Sequence, residues 1–175
     1  VSVPGSGNVV IVNASSYAVQ GSIVVGGNPV ALALHPLTNR LYVTDASGGT
    51  LRVADLSSNR LLDVVAVGSN LQDVAINLAT NRIYVAVTDA NSIAVIDGFT
   101  DRVVAIVPVG SRPSALAVDS KLNRLYAANT LDNNVSVLDA SQNLSLITRR
   151  KVGVLPAGIA LDSNTHLTYV ANAGN

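Results

Sequence analysis

The sequence contains no cysteine, no methionine and no tryptophan, and its single phenylalanine is Phe99. Without cysteine there is no disulfide framework, no thiolate metal site and no cysteine nucleophile, although the compartment stays open because secreted proteins need not carry disulfides. Net charge is also missing. Eleven basic and eleven acidic residues cancel, so no overall field draws the chain to nucleic acid or to an anionic membrane. Long apolar runs are absent too: "LLDVVAVG" and "RVVAIVPVG" fall well short of the roughly 20 residues a helix needs to cross a bilayer, and no membrane insertion is expected. The chain opens at Val1 without an initiator methionine, a basic n-region or a signal-like apolar stretch. A processed product or a segment of something longer is the expectation.

What is present is aliphatic. Almost half of the 175 residues are apolar, chiefly Val, Leu, Ile and Ala, a palette that suits stacked sheets better than helices. Four segments align without gaps: "GGNPVALALHPLTNRLYVTDA", "GSNLQDVAINLATNRIYVAVT", "GSRPSALAVDSKLNRLYAANT" and "GVLPAGIALDSNTHLTYVANA". They begin at Gly26, Gly68, Gly110 and Gly153, spacings of 42, 42 and 43, and Tyr42, Tyr84, Tyr126 and Tyr169 keep the same phase. Self-similarity at 40–45 residues marks a solenoid or a propeller with four strands per blade.

Within one period "PVALALHP", "NRLYVTDA", "GTLRVADL" and "NRLLDVVAVG" read as four strands, by apolar alternation and Asn/Asp/Ser/Gly punctuation. No useful window has helical spacing. The expected fold is all-β: β-propeller blades of four antiparallel strands, three complete (26–67, 68–109, 110–152) and one split between 1–25 and 153–175. Four short strands cannot bury both faces alone, so such units stack around an axis. The recurring Ala33, Ala75, Ala117 and Ala160 on the first strand let neighbouring blades approach closely.

The motifs "TNRLYVTD", "TNRIYVAV" and "LNRLYAAN", each followed by a "VxVxD"-like strand and a "V-G" end, resemble the YVTN-type β-propeller repeat. That repeat occurs in surface-layer and other cell-envelope proteins of archaea and bacteria, and the resemblance covers the whole chain. It implies an extracellular or cell-surface location. Related propellers include lactonase-like enzymes and haem-binding domains, but no motif here transfers their active residues. The two terminal pieces sum to 48 residues where one blade needs 42, the excess being Val1–Ser6, which repeats Val43–Gly48. An array cut from a larger propeller is expected, ahead of a closed four-blade ring and of two copies associating to complete one.

Arg40, Arg82 and Arg124 open the second strands, and Asp55, Asp97 and Asp139 end the third. These strands are antiparallel neighbours, so intra-blade pairs Arg40–Asp55, Arg82–Asp97 and Arg124–Asp139 are expected, rather than a basic ring for an anionic partner. His166 and Asn13 stand as the corresponding pair in the split repeat. Asp45, Asp89 and Asp132 fall in loops out of register and repeat no calcium-loop pattern, so no metal site is expected. Asp73 is unusual, standing where the other repeats have Ala31, Ala115 and Gly158, with Gln72 before it. It reads as a solvated residue at the channel mouth or as the lining of a polar pocket. His35 and His166 have no triad partner at a suitable spacing and read as surface histidines. The repeat-end glycines lack the Lys-Ser/Thr of a phosphate loop. Asn13, Asn134 and Asn143 open weak N-x-S sequons.

Function in this architecture resides in sites grafted onto it. The loops from fourth to first strand and from second to third share one face. There Asn28, Asn70, Arg112 and Leu155 break the repeat, near Asp73 at the axis. Asn28, Asn70, Asp73 and Arg112 are therefore the candidate binding residues, with no catalytic residue and no cofactor. The expected function is a non-catalytic scaffold that docks protein or surface glycan. The alternative is part of a lactonase-like enzyme or haem-binding domain with a site at the central axis.

Overall fold

The computed structural model describes residues 1–141 and 144–174, so Asn143 lies outside the described residues. Strands follow one another in chain order and pair antiparallel with their sequence neighbours. A leading three-stranded sheet holds β1 (Ser2–Val3), β2 (Asn8–Val12) and β3 (Val19–Val24). The first full blade is β4 (Pro29–His35), β5 (Arg40–Asp45), β6 (Thr50–Asp55) and β7 (Arg60–Ala66). The second is β8 (Leu71–Asn77), β9 (Arg82–Val87), β10 (Ser92–Asp97) and β11 (Arg102–Pro108). The third is β12 (Pro113–Asp119), β13 (Arg124–Asn129), β14 (Asn134–Asp139) and β15 (Ser145–Lys151). A trailing pair, β16 (Pro156–Asp162) and β17 (Leu167–Asn172), ends the array. One 3-10 turn, Thr88–Ala90, is the only helix among the described residues.

The first strands β4, β8, β12 and β16 pack one on the next and form the inner edge of the arc. The leading and trailing sheets remain separate, so a closed four-blade ring sharing one split blade does not form. Apolar cores lie between sheets rather than within them. Tyr42, Leu51 and Val53 of the first blade meet Leu71, Val74, Ile83 and Val85 of the second. On the far side of β9, Tyr84 and Ala86 meet Leu116, Leu125 and Ala127 of the third blade. Period-2 alternation thus sends Ile83 and Val85 one way and Tyr84 and Ala86 the other. In each blade the recurring alanine faces the recurring tyrosine in register: Ala33 with Tyr42, Ala75 with Tyr84, Ala117 with Tyr126 and Ala160 with Tyr169. A small residue opposite a large one leaves space for the next sheet.

The asparagines have a backbone reason. Asn39, Asn59, Asn70, Asn81, Asn91, Asn123 and Asn133 all sit at positive φ between 50° and 56°, the left-handed region that asparagine tolerates better than other side-chain-bearing residues. Each closes a two-strand turn or a blade-to-blade connection.

Candidate functional site

The Arg/Asp pairs divide. Arg82 forms an ion pair with Asp97 of its own blade, and Arg124 lies 3.5 Å from Asp139. Arg40 faces Asp55 in backbone register, but its guanidinium turns to the next blade and meets Asp101 at 2.5 Å. This corrects the expected Arg40–Asp55 pair, and the reason lies in burial. Asp55 is already satisfied within its own turn, accepting from the Ser58 N–H at 2.6 Å and the Ser58 hydroxyl at 2.8 Å. Asp101 is held between blades, where an ionised carboxylate needs partners, and Arg40 and the Tyr42 hydroxyl (2.9 Å) supply them. Burial, with the Asp101 charge beside it and against the pull of Arg40, pushes the Tyr42 phenol up to about 12. Tyr84 makes the equivalent reach, donating to the Ala140 carbonyl of the third blade at 3.4 Å. In the first two full blades the repeat tyrosine is thus an inter-blade link.

A second set of links joins the end of each first strand to the following blade's left-handed turn residue. His35 Nε2 meets Asn81 Oδ1 at 2.7 Å, Asn77 Nδ2 donates to Asn123 Oδ1 at 2.9 Å, and His166 Nδ1 meets Asp119 Oδ2 at 2.6 Å. His35 is only 1% exposed, so it is a buried structural histidine and not a surface one. His166 (φ 58°) holds the turn position of Asn39, not the strand position of Arg40, which belongs to Leu167; the expected His166–Asn13 counterpart of the Arg/Asp pairs does not exist. The sequence carried the signal: His, Asn and Asp recur at positions 35, 77 and 119, with Asn, Asn and His at 81, 123 and 166.

The loop carboxylates are turn builders. Asp45, almost fully buried, accepts from the Asn28 N–H (2.9 Å), the Gly48 N–H (3.1 Å) and Arg52 (2.8 Å). Burial alone would raise its pKa, but these donors outweigh it and hold the carboxyl well below the usual range. Asp89 accepts from the Asn70 amide at 3.0 Å, and Asp132 from the Ser111 N–H at 2.8 Å.

The four candidate binding residues take different roles. The Asn28 side chain accepts from the Gly5 N–H at 3.2 Å, which ties the leading sheet to the first blade. Asn70 bridges Asp89 and Gln72, whose Nε2 donates to Asn70 Oδ1 at 2.6 Å. The Asp73 carboxylate is committed to backbone donors: its oxygens accept from its neighbour Val74 (2.8 Å) and, across the blade boundary, from the Leu116 N–H (2.7 Å). Burial raises its pKa despite these two donors. Asp73 therefore staples the second blade to the third. Arg112 alone projects freely. It is exposed, and among the described residues its guanidinium has neither an ion pair nor a hydrogen bond.

Arg112 stands at the rim of a cleft of about 490 Å³ spanning the second, third and trailing sheets, on the face formed by the fourth-to-first and second-to-third loops. Gln72, Ser114, Thr130, Leu131, Leu155 and Ala157 also line it, together with the largely buried Thr88. The Thr88 hydroxyl donates to the Pro113 carbonyl at 2.7 Å, and that of Thr130 reaches the Pro156 carbonyl at 2.9 Å. These hydroxyls fasten the floor of the cleft across two blade boundaries.

No model of a known protein family matches the sequence, and no curated protein matches it. The architecture does have solved counterparts. The crystal structure of a functionally unknown protein from Desulfotomaculum acetoxidans matches with a TM-score of 0.83 over 98% of this chain, at 13% identity. Dihydro-heme d1 dehydrogenase NirN, in complex with DHE, matches with a TM-score of 0.75 over 98% of this chain, at 14% identity. The chain spans 58% of the first structure's length and 39% of the second's. At such identities the likeness is one of fold. The protein is an all-β array of β-propeller blades.

Proposed function

We propose that this array is a non-catalytic scaffold of the YVTN repeat type, working outside the cell or at its surface and docking a protein or surface glycan. The contrast between the two faces carries the reading. On one face the first-to-second turns repeat a left-handed Asn39, Asn81 or Asn123, each committed to turn geometry or a blade link. On the other, Asn70, Arg112 and Leu155 hold one equivalent left-handed position with three different chemistries, beside the cleft. Recognition needs such heterogeneity, and loops on a rigid scaffold supply it. The histidines that an axial enzyme or haem site would draw on, His35 and His166, are engaged in blade links.

Binding of the purified protein to isolated surface-layer sheets and to an immobilised glycan panel tests this. Arg112→Glu with Leu131→Ser should abolish binding in a still-folded protein. Leu37→Ser with Phe99→Ser, both on highly exposed residues of the opposite face, should leave it intact. Loss only with the second pair would place docking on the wrong face, and lactone hydrolysis by the purified protein would favour the enzyme reading.

A further inference from the structure

The chemistry of the cleft narrows the ligand, and this step rests on the binding reading above. We propose that the cleft takes an acidic sugar: a hydroxyl-rich ring bearing one anionic group.

The hydrogen-bonding groups of the cleft are unevenly committed. Ser114 and Thr130 lie 2.8 Å apart, and both reach the Pro156 carbonyl, at 3.3 and 2.9 Å. The Thr130 hydrogen serves either the Ser114 oxygen or the Pro156 carbonyl, and the Ser114 hydroxyl is within reach of the same carbonyl. With the hydrogens so placed, both hydroxyl oxygens keep lone pairs for a ligand's donors. Gln72 spends one Nε2 hydrogen on Asn70, and its Oε1 has no donor among the described residues. The floor therefore asks for a ligand rich in donors, as sugar hydroxyls are.

The rim asks for something else. Arg112 brings a planar fork of donors that no carboxylate of the described residues occupies, and none of the described residues lining the cleft is acidic. An uncommitted guanidinium favours a carboxylate or phosphate. Among the described residues no aromatic side chain lines the cleft, so they offer no platform for stacking a nucleobase. Leu131, Leu155 and Ala157 give a small apolar wall suited to the C–H face of a sugar ring. The volume falls within the range of small-molecule sites, about 300–1,000 Å³. Hydroxyl donors and one negative group together describe the acidic sugar.

Chemical-shift perturbation with methyl glucuronide, glucose 6-phosphate, methyl glucoside and acetate separates the two halves of the claim. The glucuronide or the sugar phosphate, whichever supplies the natural anion, should shift the resonances of Ser114, Thr130 and Leu131. The neutral glucoside and acetate should bind at least tenfold more weakly. Arg112→Ala should weaken the acidic sugar about tenfold or more with an unchanged melting temperature, and Arg112→Lys should restore part of the loss. Equal binding of glucoside and glucuronide, insensitive to Arg112→Ala, overturns the proposal, as does acetate binding equal to the acidic sugars. If surface-layer sheets bind while all four small molecules fail, the acidic-sugar inference falls and the scaffold reading stands. If neither binds, both fall.

Discussion

Arg112 and Leu155 occupy backbone positions that their side chains dislike. Both have φ near 52–53°, where Asn70 serves in the second blade. A left-handed conformation costs a side-chain-bearing residue roughly 1–2 kcal/mol, and asparagine less. Arg112→Asn should therefore raise stability by about 1 kcal/mol, equivalent to about 2–4 °C in Tm for a chain of this size, while removing the free guanidinium. A fall in Tm, read by calorimetry, would mean that Arg112 makes structural contacts. The Arg40 finding can be checked as sharply. A double-mutant cycle with Asp101→Asn should show coupling of about 0.5–3 kcal/mol, and the same cycle with Asp55→Asn should show close to none. The reverse ordering would restore the intra-blade pair.

At the scale of elements, the turns between first and second strands do two jobs, reversing the chain and clasping the blade before. Asn123→Ala leaves the buried Asn77 amide unpaired, and Asn77→Ala breaks the same clasp together with the Ala79 N–H bond of the turn, each at a cost of about 1–3 kcal/mol in urea unfolding. A loss below about 0.5 kcal/mol for both would show that the 2.9 Å contact contributes nothing. Two buried acids, one in a loop and one in a link, give the array a pH signature. Asp45 and Asp119 both have depressed pKa values: burial opposes ionisation, but for Asp45 the Asn28 N–H and Arg52, and for Asp119 His166 and two backbone N–H groups, outweigh it. A carboxylate depressed in the fold adds stability that is fully present above its unfolded value, about 3.9, and is lost as pH falls through the folded value. Unfolding free energy should therefore hold between pH 5 and 7 and drop below about pH 4. Asp45→Asn should shrink that acid-dependent drop, measured as the difference between pH 7 and pH 3, and an unchanged drop would remove Asp45 from the explanation.

For the whole molecule, stability should behave as a sum of blades and blade interfaces, because apolar clusters lie between sheets and each sheet touches only its neighbours. Ile83→Ala and Leu125→Ala, at different interfaces and fully buried, should each cost about 2–5 kcal/mol and add in the double variant. Hydrogen exchange should protect β9, β10 and β13 most, each flanked by two strands, and β17 least, since it is an exposed edge strand of the two-stranded trailing sheet. Uniform protection across the array would argue for a single all-or-none unit instead.

The sequence by itself determined the period, the four strands per blade, the alternation that faces each strand both ways, and the turns, because these depend on residues near one another in the chain. Tyr42, Asn39 and the strand-edge arginines were legible as repeat positions for that reason. It did not reveal which blade each polar side chain would serve. Arg40 lies opposite Asp55 in register yet pairs with Asp101; His35 reads as a surface residue yet is buried against Asn81; Asp73 reads as a solvated residue at the channel mouth or as pocket lining yet holds the Leu116 N–H. Those choices are made between blades, where burial raises the cost of an unpaired polar group and the neighbouring sheet offers the partner. The cleft at Arg112 is of the same kind: three sheets must stack before Gln72, Ser114, Thr130 and Leu155 share one wall.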